Sequence, residues 1–394
     1  MTQNSAFLKR IKRQVVARSH RFFAATSPGL NRLCADELSG LVLTTLSDIE
    51  TGAGGVGFRG WLSDLYEANL KLRTANRILM RLYDFKAANF RQLEKKILDF
   101  PWELYLFPDQ PVQLSVTAAR CRLYHKEAIV NTVLPAIGRR LTTAIDNGQA
   151  KTCHPVQRIF VRGSDDRWVL SLDSSGDNLY KRGIKIHGGS APIRETLAAA
   201  ALRIAGYAGQ VPLVDPMCGS GTFSIEAAMT AANIPAGWFR EFGFMDWPSF
   251  QPGQWRHIRK KAEDEIVRRT EPLIFASDID ETALTALEST VQSHGLSGLI
   301  HVCRKDFFKW RPSDENMEKG LVVLNPPYGI RMETRKSGDR LFSDIIRKLA
   351  DDYRGWSFIL IAPERRLLTN VPFPYSVYPI FHGGLEVGLV VGRI

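Results

Sequence analysis

Long apolar segments are missing from this 394-residue sequence. The mean hydropathy is −0.14, and no uninterrupted apolar run approaches the roughly 20 residues that a membrane helix needs, which excludes a membrane-spanning protein. Residues 1–20 also lack the apolar region of a secretory signal peptide, so no such signal is expected.

Cysteine is scarce as well. The five cysteines are scattered along the chain, and none belongs to a CxxC pair. This pattern fits neither a disulfide framework nor a zinc site. We therefore expect a protein of the reducing cytoplasm that holds no metal.

Acidic residues are too few to balance the basic ones in the first half of the chain. Residues 1–190 contain 28 Lys and Arg against 17 Asp and Glu, whereas residues 191–394 contain 24 of each, so the whole net charge of +11 lies in the first half. Because contacts from Lys and Arg to phosphate dominate nucleic-acid affinity, this segregation favours a nucleic-acid partner. No basic helix with a strong apolar face stands out, which disfavours a membrane surface. A basic solvated surface without a ligand stays open as the alternative.

The length predicts two or three domains of roughly 100 to 200 residues each. A basic N-terminus at residues 1–20, which need not be ordered, precedes two segments, 21–60 and 61–175, that mix helical and strand patterns without regular alternation. Such mixing indicates α+β structure. From residue 176 short apolar strands alternate with amphipathic helices. This alternation predicts an α/β domain over 176–394, with a doubly wound parallel sheet whose ligands bind at the carboxyl ends of the strands.

A glycine-rich loop follows the first strand of that domain. The strand ends at Val214 and continues as Asp-Pro-Met-Cys-Gly-Ser-Gly, in which Gly219 and Gly221 let a ligand approach the backbone closely before a helix begins. A dinucleotide-binding loop would have a third glycine where Ser224 stands, with its acidic residue about 20 residues further on. The next acid at a strand end is Asp278, much further along, so a dehydrogenase is disfavoured. A purely structural glycine turn stays open at this point.

Acidic residues also end the next two strands. Asp278 directly follows one strand, where a carboxylate can accept hydrogen bonds from the two hydroxyls of a ribose. Asp280 is better placed to cap the helix that begins at Glu281. Asp306 ends the following strand and can accept a hydrogen bond from an adenine amino group, although an Asp in this position is often only a turn residue.

The sharpest signal is Asn-Pro-Pro-Tyr at residues 325–328, directly after an apolar strand. The two prolines stop the strand and stiffen the backbone at its carboxyl end. The Asn325 amide oxygen and the Pro326 carbonyl can both accept hydrogen bonds from a planar amino group, and Tyr328 can stack on a base. Such a pocket would hold an exocyclic amine with its lone pair toward an electrophile. An ordinary turn can have these residues, but this one follows a glycine loop and two acids at strand ends.

These segments resemble the class I S-adenosylmethionine-dependent methyltransferases that modify exocyclic amino nitrogens. The matching segments are DPMCGSGTFSIEAA (215–228), ASDID (276–280), Asp306 and NPPYG (325–329). Two more segments, at 179–200 and 233–247, are similar to the THUMP-containing RNA methyltransferases, specifically the bacterial branch that forms N2-methylguanine in 23S ribosomal RNA.

The resemblance covers nearly all of the chain after residue 20 and implies its architecture. It implies a ferredoxin-like element at 21–60, a THUMP RNA-binding domain at 61–175 and a Rossmann-like methyltransferase domain with a seven-stranded sheet at 176–394. Better-known members of the branch fuse a second methyltransferase domain to the first, whereas this sequence ends at Ile394 with a single one. The activity of that second domain is therefore not expected here.

The resemblance further implies S-adenosylmethionine as cofactor and RNA, most of all ribosomal RNA, as partner. The residues that it implies in cofactor binding are Asp215, Met217, Cys218, Gly219, Gly221, Asp278, Ile279, Asp306 and Asn325. Those that it implies in catalysis, by holding the target amine and its base, are Asn325, Pro326, Pro327 and Tyr328.

Three alternative functions stay open. The same motif can hold the adenine N6 amine, or the methylated guanine can belong to transfer RNA. The protein can also be a non-catalytic RNA-binding or ribosome-assembly factor with a vestigial cofactor pocket. The sequence sets neither the target nucleotide nor the oligomeric state.

Overall fold

The structure, a computed structural model, describes residues 2–41, 47–143, 154–184, 193–327, 335–368, 370–382 and 385–394. Its α-helices are α1 (Thr2–Ile11), α2 (Asn31–Gly40), α3 (Leu62–Lys71), α4 (Phe90–Asp99), α5 (Lys126–Thr143), α6 (Glu195–Ile204), α7 (Thr222–Ala231), α8 (Pro252–Asp264), α9 (Glu281–Ser293) and α10 (Arg335–Asp352). Its strands are β1 (His20–Thr26), β2 (Ser47–Gly52), β3 (Gly55–Gly60), β4 (Ala75–Lys86), β5 (Val112–Ala119), β6 (Gln157–Ser164), β7 (Arg167–Asp173), β8 (Leu213–Asp215), β9 (Ile274–Asp278), β10 (Ile300–Arg304), β11 (Leu321–Leu324), β12 (Ser357–Ala362), β13 (Tyr375–His382) and β14 (Leu385–Arg393). Within the described residues, no helix combines the length and the apolar character needed to cross a membrane.

These elements form two compact units, each assembled from separate stretches of the chain. The first unit comprises Met1–Thr26, Cys34–Leu179 and Glu241–Lys260, and the second comprises Ser27–Leu33, Tyr180–Arg240 and Lys261–Ile394. The main division falls between residues 179 and 180. The short segments Ser27–Leu33 and Glu241–Lys260 each belong to a different unit from the residues on either side of them in the sequence.

The segment Glu241–Lys260 joins the first unit through its aromatic side chains. Phe244 is fully buried and stacks on Tyr66 of α3, with 4.4 Å between the ring centroids, while Trp255 meets Tyr66 edge to face. The indole nitrogen of Trp247 donates a hydrogen bond to the side-chain oxygen of Gln157 at 3.0 Å. The sequence pattern does not show that this segment belongs to the first unit, because its aromatic side chains could be buried in the core of either unit.

The N-terminus is helical rather than unordered. α1 is followed by a short π-helical turn, and Ile11 and Val15, four residues apart, are both buried. Residues with this spacing lie on one face of a helix, so the basic segment has an apolar stripe that anchors it. Arg10 adds an ion pair with Glu103 at 3.0 Å.

The first unit is built on a sheet with the strand order β2-β3-β1-β4-β7-β6-β5. The neighbouring strands are antiparallel except for β5 and β6, which are parallel. Side chains alternate between the two faces, so that Ile159 and Val161 of β6 are buried while Arg162 is exposed. The predicted α+β character of this part of the chain is confirmed.

The second unit contains, among the described residues, a seven-stranded sheet with the order β10-β9-β8-β11-β12-β14-β13. The first five strands of this order are parallel, and β14 pairs antiparallel with both β12 and β13. Alternate residues of β11 enter opposite cores: Leu321 and Val323 belong to one apolar cluster, and Val322 and Leu324 to the other. Both faces are thus covered, as in other parallel sheets. The predicted doubly wound α/β fold is confirmed.

The strand order reverses between β8 and β11, which lie side by side. From β8 the chain continues through α7 to β9 on one side, and from β11 it continues through α10 to β12 on the other. In sheets of this kind the crevice at the carboxyl ends of the two central strands is where ligands bind. The glycine loop and Asn325 follow directly on these two strands.

A buried ion pair fixes the chain where it enters the second unit. Arg182 donates from Nε to Glu226 Oε1 at 2.7 Å and from Nη2 to Glu226 Oε2 at 3.3 Å. The Arg182 side chain is 2% exposed and that of Glu226, on α7, is fully buried. Because α7 directly follows the glycine loop, this pair also supports the position of the loop.

We predict that Glu226→Gln strongly destabilises the second unit, because it leaves a buried guanidinium without its carboxylate. The expected loss in the free energy of unfolding is about 3 kcal/mol, measured by urea denaturation. The matched control is Arg304→Ala, which breaks the surface pair of Arg304 with Glu281 at 3.1 Å and should cost at most about 1 kcal/mol. Equal losses in the two variants would contradict the stabilising role of the buried pair.

Candidate active site

The glycine loop between β8 and α7 needs its two glycines for different reasons. Both adopt left-handed backbone conformations, with φ of 51° at Gly219 and 77° at Gly221. A Cβ atom at Gly221 would lie 2.4 Å from Leu287 of α9, so this glycine allows α9 to pack against the loop. A Cβ atom at Gly219 would meet no described atom within 4 Å. The space beside Gly219 is therefore available to a ligand.

The Asp278 carboxylate ties this loop to the end of the neighbouring strand β9. The backbone N–H of Gly219 donates to Asp278 Oδ2 at 2.8 Å, and those of Ile279 and Asp280 donate to Oδ1 at 2.8 and 3.0 Å. A carboxylate has about four acceptor positions, so the described residues leave one position on Oδ2 open. That position is suited to the ribose hydroxyl predicted for Asp278. The other predicted role is confirmed, since Asp280 accepts from two backbone N–H groups and caps α9.

Asp215 lies at the end of β8 but is turned inward. Its side chain is 2% exposed and accepts a hydrogen bond from Ser224 Oγ at 2.7 Å. Burial, with a smaller contribution from the negative charge of Asp278, raises the pKa of Asp215 to about 7, although the Ser224 hydroxyl acts in the opposite direction. Its predicted contact with a cofactor stays a prediction.

Two further predicted residues, Met217 and Cys218, lie within the same loop. Met217 is half-buried and packs against the apolar cluster that includes β11. Cys218 is buried, its backbone N–H donates to the Ser277 carbonyl at 3.1 Å, and burial raises the pKa of its thiol well above the ordinary value. A neutral, buried thiol acts here as a packing group.

Exposed apolar side chains stand beside the two strand-end acids. Ile279 follows Asp278 and is 66% exposed, while Phe308, 41% exposed, donates its backbone N–H to Asp306 Oδ1 at 3.0 Å. The strands that precede these residues, β9 and β10, are neighbours in the sheet. Apolar side chains at a polar strand edge suit a flat ring such as adenine. Phe308 is not among the residues predicted from the sequence. Its position two residues after Asp306 was the sequence feature that could have indicated it.

The end of β11 contains a buried polar atom without a partner. The Oδ1 atom of Asn325 is buried and accepts no hydrogen bond within the described residues, and Thr222 Oγ1, at the start of α7, is in the same state. Leaving such an atom unpaired costs roughly 1–3 kcal/mol, so both positions are prepared for a ligand that donates hydrogen bonds. Pro326 is buried and Pro327 exposed. Tyr328, the fourth residue of the predicted motif, lies outside the described residues.

The sheet brings most of the predicted residues to one edge. Asp278, the loop at Gly219 and Asn325 follow β9, β8 and β11, which are adjacent strands spaced about 4.8 Å apart. On the β9 side this edge has the Asp278 carboxylate and the exposed Ile279, and on the β11 side it has the Asn325 amide oxygen as a hydrogen-bond acceptor. Among the described residues no cluster of His, Cys, Asp and Glu could hold a metal ion. The arrangement suits an adenosine-bearing ligand that lies across the loop and points toward Asn325.

Comparison with protein families defines the class. Residues 182–372 match the RMKL-like methyltransferase domain family, and residues 21–79 match the RlmL ferredoxin-like domain family. The crystal structure of SMU.472, a putative methyltransferase complexed with SAH, superposes with a TM-score of 0.84 at 25% identity, covering 95% of this chain and 98% of that one. The fold and its strand-end site thus define a class I methyltransferase.

Two curated relatives identify the family. The chain is 30% identical to the putative RNA methyltransferase slr0064 of Synechocystis over 384 residues, which cover 95% of this chain and 97% of the relative. It is 35% identical to the ribosomal RNA large subunit methyltransferase K/L of Methylococcus capsulatus over 386 residues, 93% of this chain. The chain spans about half the length of that relative. It belongs to the RMKL-like methyltransferase family.

We predict that Asp215 makes the stability of the protein depend on pH. Its pKa is higher in the folded chain than its ordinary value of 3.8, so folding favours the protonated carboxyl. The free energy of unfolding should therefore fall as pH rises from about 4 to about 7 and then level off, by up to about 4 kcal/mol from this group. Asp215→Asn should flatten this part of the curve, measured by urea denaturation across the range. Parallel curves for variant and wild type would contradict the assignment.

Proposed function

We propose that this methyltransferase transfers a methyl group from S-adenosylmethionine to the exocyclic N2 of a guanine in 23S ribosomal RNA. The observation that carries the proposal is the buried Asn325 Oδ1 at the end of β11, which accepts no hydrogen bond from the described residues and follows the strand next to the glycine loop. No described atom occupies the space beside Gly219 in that loop. The name of the K/L relative and the excess of positive charge in residues 1–190 support RNA as the substrate.

The residues at the strand edge fit the cofactor. The free acceptor position of Asp278 would bind a ribose hydroxyl, Asp306 would accept from the adenine amine, and Ile279 and Phe308 would flank the adenine ring. The open side of Gly219 would let the ligand lie against the backbone. S-adenosylmethionine supplies a methyl group already activated by its positively charged sulfur, so position and electrostatics are the main contributions asked of the protein.

The Asn-Pro-Pro-Tyr segment would hold the target amine. Asn325 Oδ1 and the Pro326 carbonyl would accept its two N–H groups, which aims the nitrogen lone pair away from the protein and toward the methyl donor. Pro327 would keep this backbone stiff, and Tyr328 would stack on a base turned out of the RNA. No strong base is required, because the methylated amine can lose its extra proton to water.

The remainder of the chain would serve to bind the substrate. We assign residues 21–60 to a ferredoxin-like element and 61–175 to a THUMP domain that holds structured RNA through phosphates and shape, with the methyltransferase domain at 176–394. The basic N-terminus at 1–20 would add positive charge near the same RNA. Such a substrate and the scattered thiols both point to the cytoplasm as the place of action.

The proposal is tested by mapping the product. Ribosomal and transfer RNA from a strain that lacks the protein are incubated with labelled S-adenosylmethionine and the purified protein, and the labelled nucleoside is identified and located. We expect N2-methylguanine in 23S ribosomal RNA. Label in transfer RNA or in N6-methyladenine would replace the substrate assignment, and failure to bind the cofactor would favour a non-catalytic RNA-binding protein.

We predict that Asn325→Ala lowers kcat roughly a hundredfold while leaving cofactor affinity nearly unchanged, because the amine loses its orienting acceptor. The matched variant Asp278→Ala should do the opposite and chiefly weaken cofactor binding, since it releases the backbone N–H groups of Gly219 and Ile279. Single-turnover kinetics and calorimetry with S-adenosylmethionine measure the two quantities. Equal losses of both quantities in both variants would refute the division of roles.

A further inference from the structure

A groove on the sheet of the first unit contains two arginines, Arg81 and Arg162, with which no carboxylate of the described residues forms an ion pair. The groove has a volume of about 230 Å³ and is lined only by strand residues, among them Phe23 of β1, Arg81 of β4, and Phe160 and Arg162 of β6. We call these four residues the arginine groove. The guanidinium carbon of Arg81 lies 4.8 Å from the centre of the Phe23 ring, and that of Arg162 lies 6.0 Å from the same ring. Two positive charges therefore lie close to one aromatic ring.

The strand register extends this arrangement into a row across four strands. Arg21 pairs with Arg81 between β1 and β4, Arg81 with Ser171 between β4 and β7, and Ser171 with Phe160 between β7 and β6. Directly paired residues share one face of a sheet, so two basic groups, a hydroxyl and an aromatic ring follow one another along a line. Phe160 is half-buried, which leaves part of its ring accessible.

Two other arginines of the same sheet, Arg77 and Arg167, are paired with carboxylates, and Arg167 also lines the groove. Arg77 pairs with Asp173, and Arg167 makes two hydrogen bonds to Asp84, at 2.7 and 3.0 Å. No carboxylate of the described residues forms an ion pair with Arg81 or Arg162.

The charges in the groove repel one another. Burial, followed by the positive charges of Arg21 and Arg162, lowers the pKa of Arg81, and the carboxylates of Asp84 and Glu50 do not outweigh them. An anion bound between the guanidinium groups would relieve this repulsion.

We infer that the arginine groove binds a single-stranded segment of the RNA substrate, with a phosphate between Arg81 and Arg162 and a base against Phe160. Guanidinium groups bind phosphate through two parallel hydrogen bonds, and aromatic side chains on an exposed sheet stack with unpaired bases. Bases in a duplex are already stacked on each other and cannot use such a platform. The inference rests on the proposed function, in that the strand bound here belongs to the methylated RNA.

The test measures binding of the full chain to a fluorescein-labelled single-stranded oligoribonucleotide of about ten nucleotides and mixed sequence, by anisotropy over a range of salt concentrations. The double variant Arg81→Gln, Arg162→Gln should lose roughly tenfold or more in affinity, and its salt dependence should become shallower by about 1 to 2 in the log–log slope. Phe160→Ala should lose roughly tenfold with an unchanged slope, because it removes stacking and no charge.

The matched control removes the same charge elsewhere in the first unit. Arg120 and Arg139 are paired at the surface with Asp165 and Glu94, so the variant Arg120→Gln, Arg139→Gln should retain most of the affinity. Calorimetric affinity for S-adenosylmethionine should be unchanged in every variant. An unchanged circular dichroism spectrum and urea denaturation curve verify that the first unit, which contains the substitutions, is folded.

Several outcomes would overturn the inference. Equal losses in the groove variant and the control would mean that only net charge matters, and preference for a duplex of the same length would exclude a single strand. Binding of a labelled acidic peptide to the wild-type protein but not to the groove variant, with no binding of RNA, would make the occupant a protein. If the groove variants lose affinity but the wild-type protein methylates no RNA, the groove assignment stands and the proposed function fails.

Discussion

The position of the glycine loop in the second unit depends on one carboxylate at the carboxyl edge of the sheet. Asp278 accepts hydrogen bonds from its own strand end and from Gly219, 59 residues earlier in the sequence, and so holds the glycine loop against the end of β9. The left-handed Gly219 leaves the space above that contact open, and Gly221 lets α9 pack close behind it. The loop is therefore shaped before any ligand arrives, which lowers the entropy that binding must overcome. Asn325, on the strand at the other side of the loop, adds an acceptor to the same rigid edge.

Arg182 of the second unit and the two arginines of the arginine groove differ in whether a carboxylate of the described residues pairs with them. In the second unit the buried Arg182 is matched by Glu226, and the pair fixes α7 behind the glycine loop. In the first unit Arg81 and Arg162 lie on an aromatic ring without a carboxylate partner among the described residues. A paired buried charge fixes structure, whereas an unpaired cluster raises the free energy of the unliganded protein and lowers it when an anion binds. The excess of basic residues in the sequence is thus concentrated, in part, at a defined place.

Local sequence patterns predicted much of the secondary structure and the sheet of the second unit. They did not predict the contacts between residues that are distant in the sequence. The doubly wound sheet and the cap at Asp280 follow from alternation and from the preference of Asp for helix starts, and both are confirmed. The bond from Gly219 to Asp278 depends on how the two strands pair, which no local pattern shows. That Asn325 Oδ1 accepts no hydrogen bond from the described residues depends on the positions of all neighbouring donors, so it becomes visible only in three dimensions. Residues 241–260 belong to the first unit although the chain on both sides of them belongs to the second, and no local pattern shows in which core their aromatic side chains are buried.

The contribution of residues 241–260 to the first unit affects how that unit can fold during synthesis. Tyr66 belongs to an early helix, but the Phe244 ring that covers it is synthesised only after β8 and α7 of the other unit. At elongation rates of about 5–20 residues per second, the gap between them takes roughly ten seconds or more. The first unit therefore cannot close its core while its own stretch of nascent chain leaves the ribosome. Part of its apolar surface therefore stays uncovered until residues 241–260 have been synthesised together with the first elements of the methyltransferase domain.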